Sequence, residues 1–271
     1  MLLKTCLSSL LLITLLAIGC GDGGTDSDDT AAPTIQSFTV AAGAQYTTSA
    51  SVTLAISATD DVGVTQMRFS ENSSFTGASW VAYQSSYSYQ FTGTDGQVTL
   101  YAQVRDAAGN TSTTSQATIM LAVNSTVIYC DPKPLALAAG SSGSITVSVA
   151  NALALASGRF VLTFSPSLLE VTDLDVNLSN HILKPAGALL LISDQDFDNT
   201  TGTITIGALT QLDGFTGVTG DGPFATIEFK AKTTITTATP ITFTSVEVYN
   251  YPVANPPVPT SNVYAINGSV Q

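Results

Sequence analysis

ASGRFVLTFSPSLLEV, residues 156–171, is the stretch whose reading decides the fold. Phe160, Leu162 and Phe164 alternate with Arg159, Val161 and Thr163, the period-two pattern of a strand with one face on a core. Pro166 ends the ladder, because proline has no backbone N–H to donate. Leu168, Leu169 and Val171 then resume the apolar face. A second run, GDGPFATIEFKAK at residues 220–232, opens with a Gly-Asp-Gly expected to form a turn. It continues as a strand with Ala225, Ile227 and Phe229 on one face. Two such strands predict a β-sandwich.

The rest of the composition agrees. The chain has 271 residues, enough for two domains that each bury a core. Charged residues make up 10% and hydrophobic ones 44%, a mix that suits extracytoplasmic β-sandwiches and disfavours helical bundles. A net charge of −12 argues against nucleic acid or anionic lipid as a partner, since both are bound by clustered Lys and Arg. Of three cysteines, Cys6 and Cys20 lie in an apolar leader, so Cys130 has no partner and reads as a small buried hydrophobe.

Residues 1–20 carry Lys4, an apolar run too short for a membrane span, and a closing Gly19-Cys20. That ending resembles a bacterial lipobox, which implies lipidation at Cys20 and attachment to a membrane through the lipid alone. Residues 21–32 read as a flexible acidic tether. Residues 33–124 form a first β domain: Val52, Leu54 and Ile56 alternate with polar residues, as do Val98, Leu100, Ala102 and Val104. Turn signals recur between its strands, and its TDDVGV and VRDAAGNTS strings resemble bacterial Ig-like repeats. Residues 124–131 read as a junction, and residues 126–271 as a second sandwich that folds by itself.

The two runs first quoted, taken in order, resemble a cohesin module. PITFTSVEV at residues 240–248 and NGSV at 267–270 resemble that family's closing strands, so the likeness covers over half of the chain. The overall expectation is an all-β chain of two antiparallel sandwiches in tandem, Ig-like and then cohesin-like. The resemblance implies a non-catalytic module that captures a dockerin, a small calcium-loaded domain, so that the calcium belongs to the partner. It also implies a docking face on one sheet. There Ser157, Arg159, Val161 and Thr163 face outward beside inward-pointing Phe160, with Thr205 and Leu209 on the neighbouring strand. Ser157 and Arg159 stand where well-known members carry Asn and Asp, so the charge reversal at Arg159 bears on which partner is bound.

Other chemistry has little material. His181 is the only histidine, which excludes a serine or cysteine triad and a histidine-rich metal site. No nucleotide-binding or nucleophile-elbow motif occurs. Glu170, Glu228 and Glu247 lie on ordinary strand patterns, so no enzyme is expected. Asp194, Asp196 and Asp198 have the spacing of a calcium loop but lack its glycine and closing glutamate, so a solvated connection between strands is the plainer reading. Asp60 and Asp61 with Asp106 and Asn110 offer a weaker version of the same pattern. Direct polysaccharide binding would rest on Tyr249 and Tyr251 alone, and a stalk or adhesin role is a further alternative. The expected place is extracytoplasmic, on an outer membrane or cell surface.

Overall fold

A computed structural model describes residues 29–185, 188–211, 217–250 and 263–271, with backbone placement only for residues 209–211. Among the described residues the chain is all strand apart from turns and one short 3-10 segment, Ala41–Gly43. The first unit holds β1 (Thr34–Val40), β2 (Tyr46–Thr47), β3 (Ser51–Thr59), β4 (Gln66–Ser70), β5 (Val81–Ala82), β6 (Ser86–Gln90), β7 (Gly96–Arg105) and β8 (Ser115–Leu121). They form a three-stranded sheet, β1-β3-β6, and a five-stranded sheet, β2-β8-β7-β4-β5. The alternation visible in the sequence supplies the core: Leu54, Ile56, Leu100, Ala102 and Val104 point inward, with Met67 and Phe69 from β4.

The second unit holds β9 (Thr126–Asp131), β10 (Ser142–Thr163), β11 (Leu169–Asp175), β12 (Leu189–Asp198), β13 (Thr203–Gln211), β14 (Val218–Ala231), β15 (Thr239–Asn250), β16 (Val263–Ile266) and β17 (Gly268–Val270). Its organising element is β10, a strand of 22 residues that belongs to both layers. Its first half pairs with β9 and β14, and its second half with β13 and β15. The change of partners falls where Asn151 and Ala154 take left-handed backbone angles, φ 51 and φ 55, which turn the strand from one layer to the other. Phe160, Leu162, Ile206, Ile227 and Phe229 fill the space between the layers. Phe160 meets Phe224 edge to face, with ring centroids 4.7 Å apart. A Cβ at Gly158 would sit 3.0 Å from both rings, so only glycine leaves them room.

Three expectations change. The Gly-Asp-Gly of residues 220–222 is not a turn but a bulged part of β14, where Gly220 has φ 119 opposite the bend in β10. Residues 126–131 are not a linker: β9 is largely buried and pairs with β10. Finally, pairing is antiparallel except for β16 with β9 and β2 with β8, which run parallel. Each parallel pair joins strands distant in sequence, which needs no tight hairpin.

With β9 inside the second sheet, the connection between units shrinks to residues 122–125, and both sides grip it. Asp95 of the first unit accepts hydrogen bonds from the Val123 and Asn124 amides and from Ser125 Oγ, at 2.9, 2.7 and 2.6 Å. Asn151 of the second donates Nδ2 to the carbonyls of Ala122, Val123 and Ser125. Asp221 in turn accepts the Asn151 amide at 2.7 Å. Tyr46 and Tyr129 pack across the same boundary, beside buried Ala122, Val127 and Ala150. The junction is built, not loose.

Candidate partner-binding face

The outer surface of β12, β13, β10 and β15 brings together most of the residues expected on the docking face. Residues paired across strands share a face, so the register gives its rows directly. One row runs Asp194, Gly207, Arg159, Glu247; the next runs Asp196, Thr205, Val161, Ser245. Above them stand Leu191, Leu209, Ser157 and Tyr249, and below them Asp198, Thr203, Thr163 and Thr242. Ser157, Arg159, Val161, Thr163 and Thr205 are half-buried, because each strand here has a neighbour on both sides. Leu209 is placed by its backbone register opposite Ser157. At the free edge, β12 adds exposed Leu189 and Leu191 to this face, while exposed Ile192 and Phe197 stand in the register rows of core residues Ala208 and Ile204. The face is therefore polar with two apolar residues at its margin, a composition that suits protein contacts.

Its electrostatic centre is Arg159, which does not project freely into solvent. The Arg159 Nε donates to Asp194 Oδ2 at 3.0 Å, and Nη1 lies 3.8 Å from Glu247 Oε1. Reaching Asp194 means crossing the intervening strand, and Gly207 opens that path. A Cβ there would meet Ser193 Oγ at 2.5 Å, Asp194 Oδ2 at 3.1 Å and the Arg159 stem at 3.5 Å. Half-exposed ion pairs of this kind contribute about 0–1 kcal/mol each, so their importance lies in orientation. The sequence offers Asp194 only as part of a calcium-like spacing and Glu247 only as a strand carboxylate, and gives Gly207 no role, since nothing there says which residue lies opposite Arg159.

The connection between strands expected at Asp194, Asp196 and Asp198 is itself a strand, and all three lie on β12. Their carboxylates are not among the groups that converge within the described residues. Asp198 instead caps its own turn, accepting the Thr200 amide at 2.7 Å and the Thr201 hydroxyl at 2.8 Å, which lowers its pKa. The carboxylates that do converge among the described residues are half-buried Asp29 and Asp60 and exposed Asp61, each offering an oxygen within 4.8 Å of the others. Asp106 is committed to the Gly109 and Asn110 amides, at 2.6 and 2.9 Å.

His181 sits apart from this face, only 2% exposed and packed against Phe224. Its Nδ1 accepts the Leu183 amide at 3.0 Å, and burial pushes its pKa down to about 4, aided by Lys184. Cys130 is buried, which pushes its thiol up to about 12, so it is an inert core residue. Tyr249 is half-buried with its hydroxyl 3.4 Å from Glu247, while Tyr251, Cys20, the leader and the first part of the tether lie outside the described residues.

The family model described as "Cohesin domain" matches residues 132–270. Among solved structures, the third cohesin of ScaC from Acetivibrio cellulolyticus, in complex with the ScaB dockerin, is 18% identical over 54% of this chain and 97% of its own, with a TM-score of 0.44. The Coh-OlpA–Doc918 cohesin–dockerin complex of Clostridium thermocellum gives 19% identity, 55% and 99% coverage, and a TM-score of 0.43. A non-cellulosomal cohesin from the archaeon Archaeoglobus fulgidus gives 20% identity, 54% and 89% coverage, and a TM-score of 0.39. No curated protein matches the chain.

Proposed function

This chain belongs to the cohesin family, and from that premise we propose that it is a surface-anchored, non-catalytic lipoprotein that captures a dockerin-bearing protein. Cohesin domains bind dockerins and carry no catalysis of their own. The observation that supports the reading here is the outer face of β12, β13, β10 and β15, which gathers the expected docking residues in adjacent rows and is edged by exposed Leu189 and Leu191. Val161 and Thr205 lie at its middle, and the Arg159 ion pairs order the centre before any partner arrives. Cys20 carries the anchor, and the first unit, clamped at residues 122–125, acts as a rigid spacer that lifts the face from the membrane.

The test is capture of dockerin modules encoded in the same genome on the immobilised chain, with calcium and with chelator. Binding should need calcium, since the partner's loops require it to fold. Val161→Asp should abolish capture, while Lys230→Asp on β14, which lies off this face, should not. A chain that retains no dockerin under any calcium condition would remove the reading.

A further inference from the structure

A second pair of arginines stands on the first unit. Arg68 of β4 and Arg105 of β7 point out of the same side of the five-stranded sheet, in the register Arg68 opposite Gln103 and Gln66 opposite Arg105. Neither is in an ion pair among the described residues. Their hydrogen bonds go to neutral amides instead. Arg68 Nε and Nη2 both donate to Gln103 Oε1, at 3.0 and 2.6 Å, and Arg105 Nε donates to Gln66 Oε1 at 2.6 Å.

Both guanidinium groups lie against one ring. Their carbons are 4.4 and 4.5 Å from the centroid of Trp80, and Arg68 also lies 4.5 Å from that of Phe75. Phe75 holds this place with a left-handed φ of 54, a strained angle for a bulky aromatic. An aromatic face attracts a cation through its quadrupole but supplies no negative charge. Two positive charges therefore lie on one ring without an ion pair among the described residues, although the chain carries 20 Asp and Glu against 8 Lys and Arg. The side chains alternating outward along β7 (Gln97, Thr99, Tyr101, Gln103 and Arg105) include no acid. A guanidinium offers five N–H donors, and most of these remain open.

We propose that this face binds a carboxylate-bearing sugar, a uronate unit of an acidic polysaccharide. The guanidinium forks match a carboxylate in geometry as well as in charge. Gln103 is committed to Arg68 through Oε1 and to Thr114 Oγ1 through Nε2, at 3.1 Å, which leaves the Gln66 amide nitrogen to donate to a sugar hydroxyl. The Tyr101 ring stands beside them as an apolar surface for a pyranose face. This site is separate from the dockerin face and does not depend on it.

Trp80 is the only tryptophan in the chain, so its fluorescence reports on this site alone. The mature chain is titrated with oligogalacturonate and oligomannuronate. A saturable change is expected with at least one of them, weakened about tenfold or more by Arg105→Gln and reduced by high salt. Neutral oligogalactose should leave the signal unchanged. If Arg105→Gln fails to fold, Arg105→Lys keeps the charge and should weaken binding through loss of the fork. Tyr101→Ala should weaken binding while leaving the free protein folded. Fluorescence that ignores both uronates overturns the proposal and leaves the arginines as a clamp on the loop that carries Phe75. An equal response to polyglutamate overturns the sugar assignment.

Discussion

Arg159 in the second unit and Arg68 and Arg105 in the first occupy the same kind of position, outward on a strand whose alternate residues fill a core. Their surroundings differ. Arg159 is flanked by Asp194 on one side and Glu247 on the other, and Gly207 clears the way across the strand between them. Among the described residues, the Arg68 and Arg105 guanidinium groups meet amides and aromatic rings. The contrast teaches that the charge of a sheet face belongs to the register of neighbouring strands. Outward arginines alone specify neither a neutralised face nor a cationic one.

The most disruptive way to break the second face is from beneath. Phe160→Ala should cost about 3–5 kcal/mol, because it empties a fully buried ring position in contact with Phe224. Far-UV dichroism should show the second unit melting earlier, while Trp80 fluorescence, which reports the first unit, keeps its own transition nearer the original temperature. An unchanged melt would contradict the buried placement of this ring.

Acid should separate the units next. The folded pKa of His181, about 4, lies below the ordinary 6.5, so the neutral form is favoured by folding. Its contribution is present above pH 6.5 and is lost as pH falls through that value toward 4, by about 3 kcal/mol at most. The first unit has no histidine and lacks this term. Melting curves across this pH range should show the second unit weakening, and His181→Phe should flatten that dependence. The same slope in the variant would assign the acid effect to other groups.

Smaller effects test the ion pairs themselves. Arg159→Asp places a third carboxylate between Asp194 and Glu247, and should cost about 1 kcal/mol as well as abolish partner capture. That differs from an isolated surface substitution, for which less than about 0.5 kcal/mol is usual. Restoration of stability by adding Asp194→Asn would confirm the repulsion, and its failure would place the cost elsewhere. Gly207→Ala is the mildest. The two nearest neighbours of its Cβ would be the Ser193 hydroxyl and an Asp194 carboxylate oxygen, with the Arg159 stem at ordinary contact distance, so the strand should hold and only the Arg159–Asp194 contact should loosen, at about 0.5 kcal/mol. A double-mutant cycle with Asp194→Asn measures it, and full additivity would show that glycine does not gate this pair.

Much of the architecture was legible because strands that face a core write their period into the chain. Phe160, Leu162, Ala225, Ile227 and Phe229 are all inward as the alternation requires. Local chemistry misled where a tertiary partner overrode it. The Gly-Asp-Gly of residues 220–222 has the composition of a turn, yet β10 bends opposite it and draws it into the ladder as a bulge. Residues 194–198 have the composition of a loop, yet pairing with β13 extends β12 to Asp198. Residues 126–131, within the junction expected at 124–131, show no alternation because a short strand buried on both sides has none to display.

The sequence by itself determined the strand content, the inward set of the second core, the cohesin resemblance and the poverty of catalytic groups. Those depend on residue type and spacing along one strand. Only the tertiary structure decided that Arg159 is bridged to Asp194 and Glu247, that Asp95 and Asn151 clamp residues 122–125 from opposite sides, and that Arg68 and Arg105 converge on Trp80. Each of these joins residues from separate strands or loops. Which side chains meet across a sheet is set by register and by the turning of β10 between layers, and a shift of one residue would send every partner to the other face.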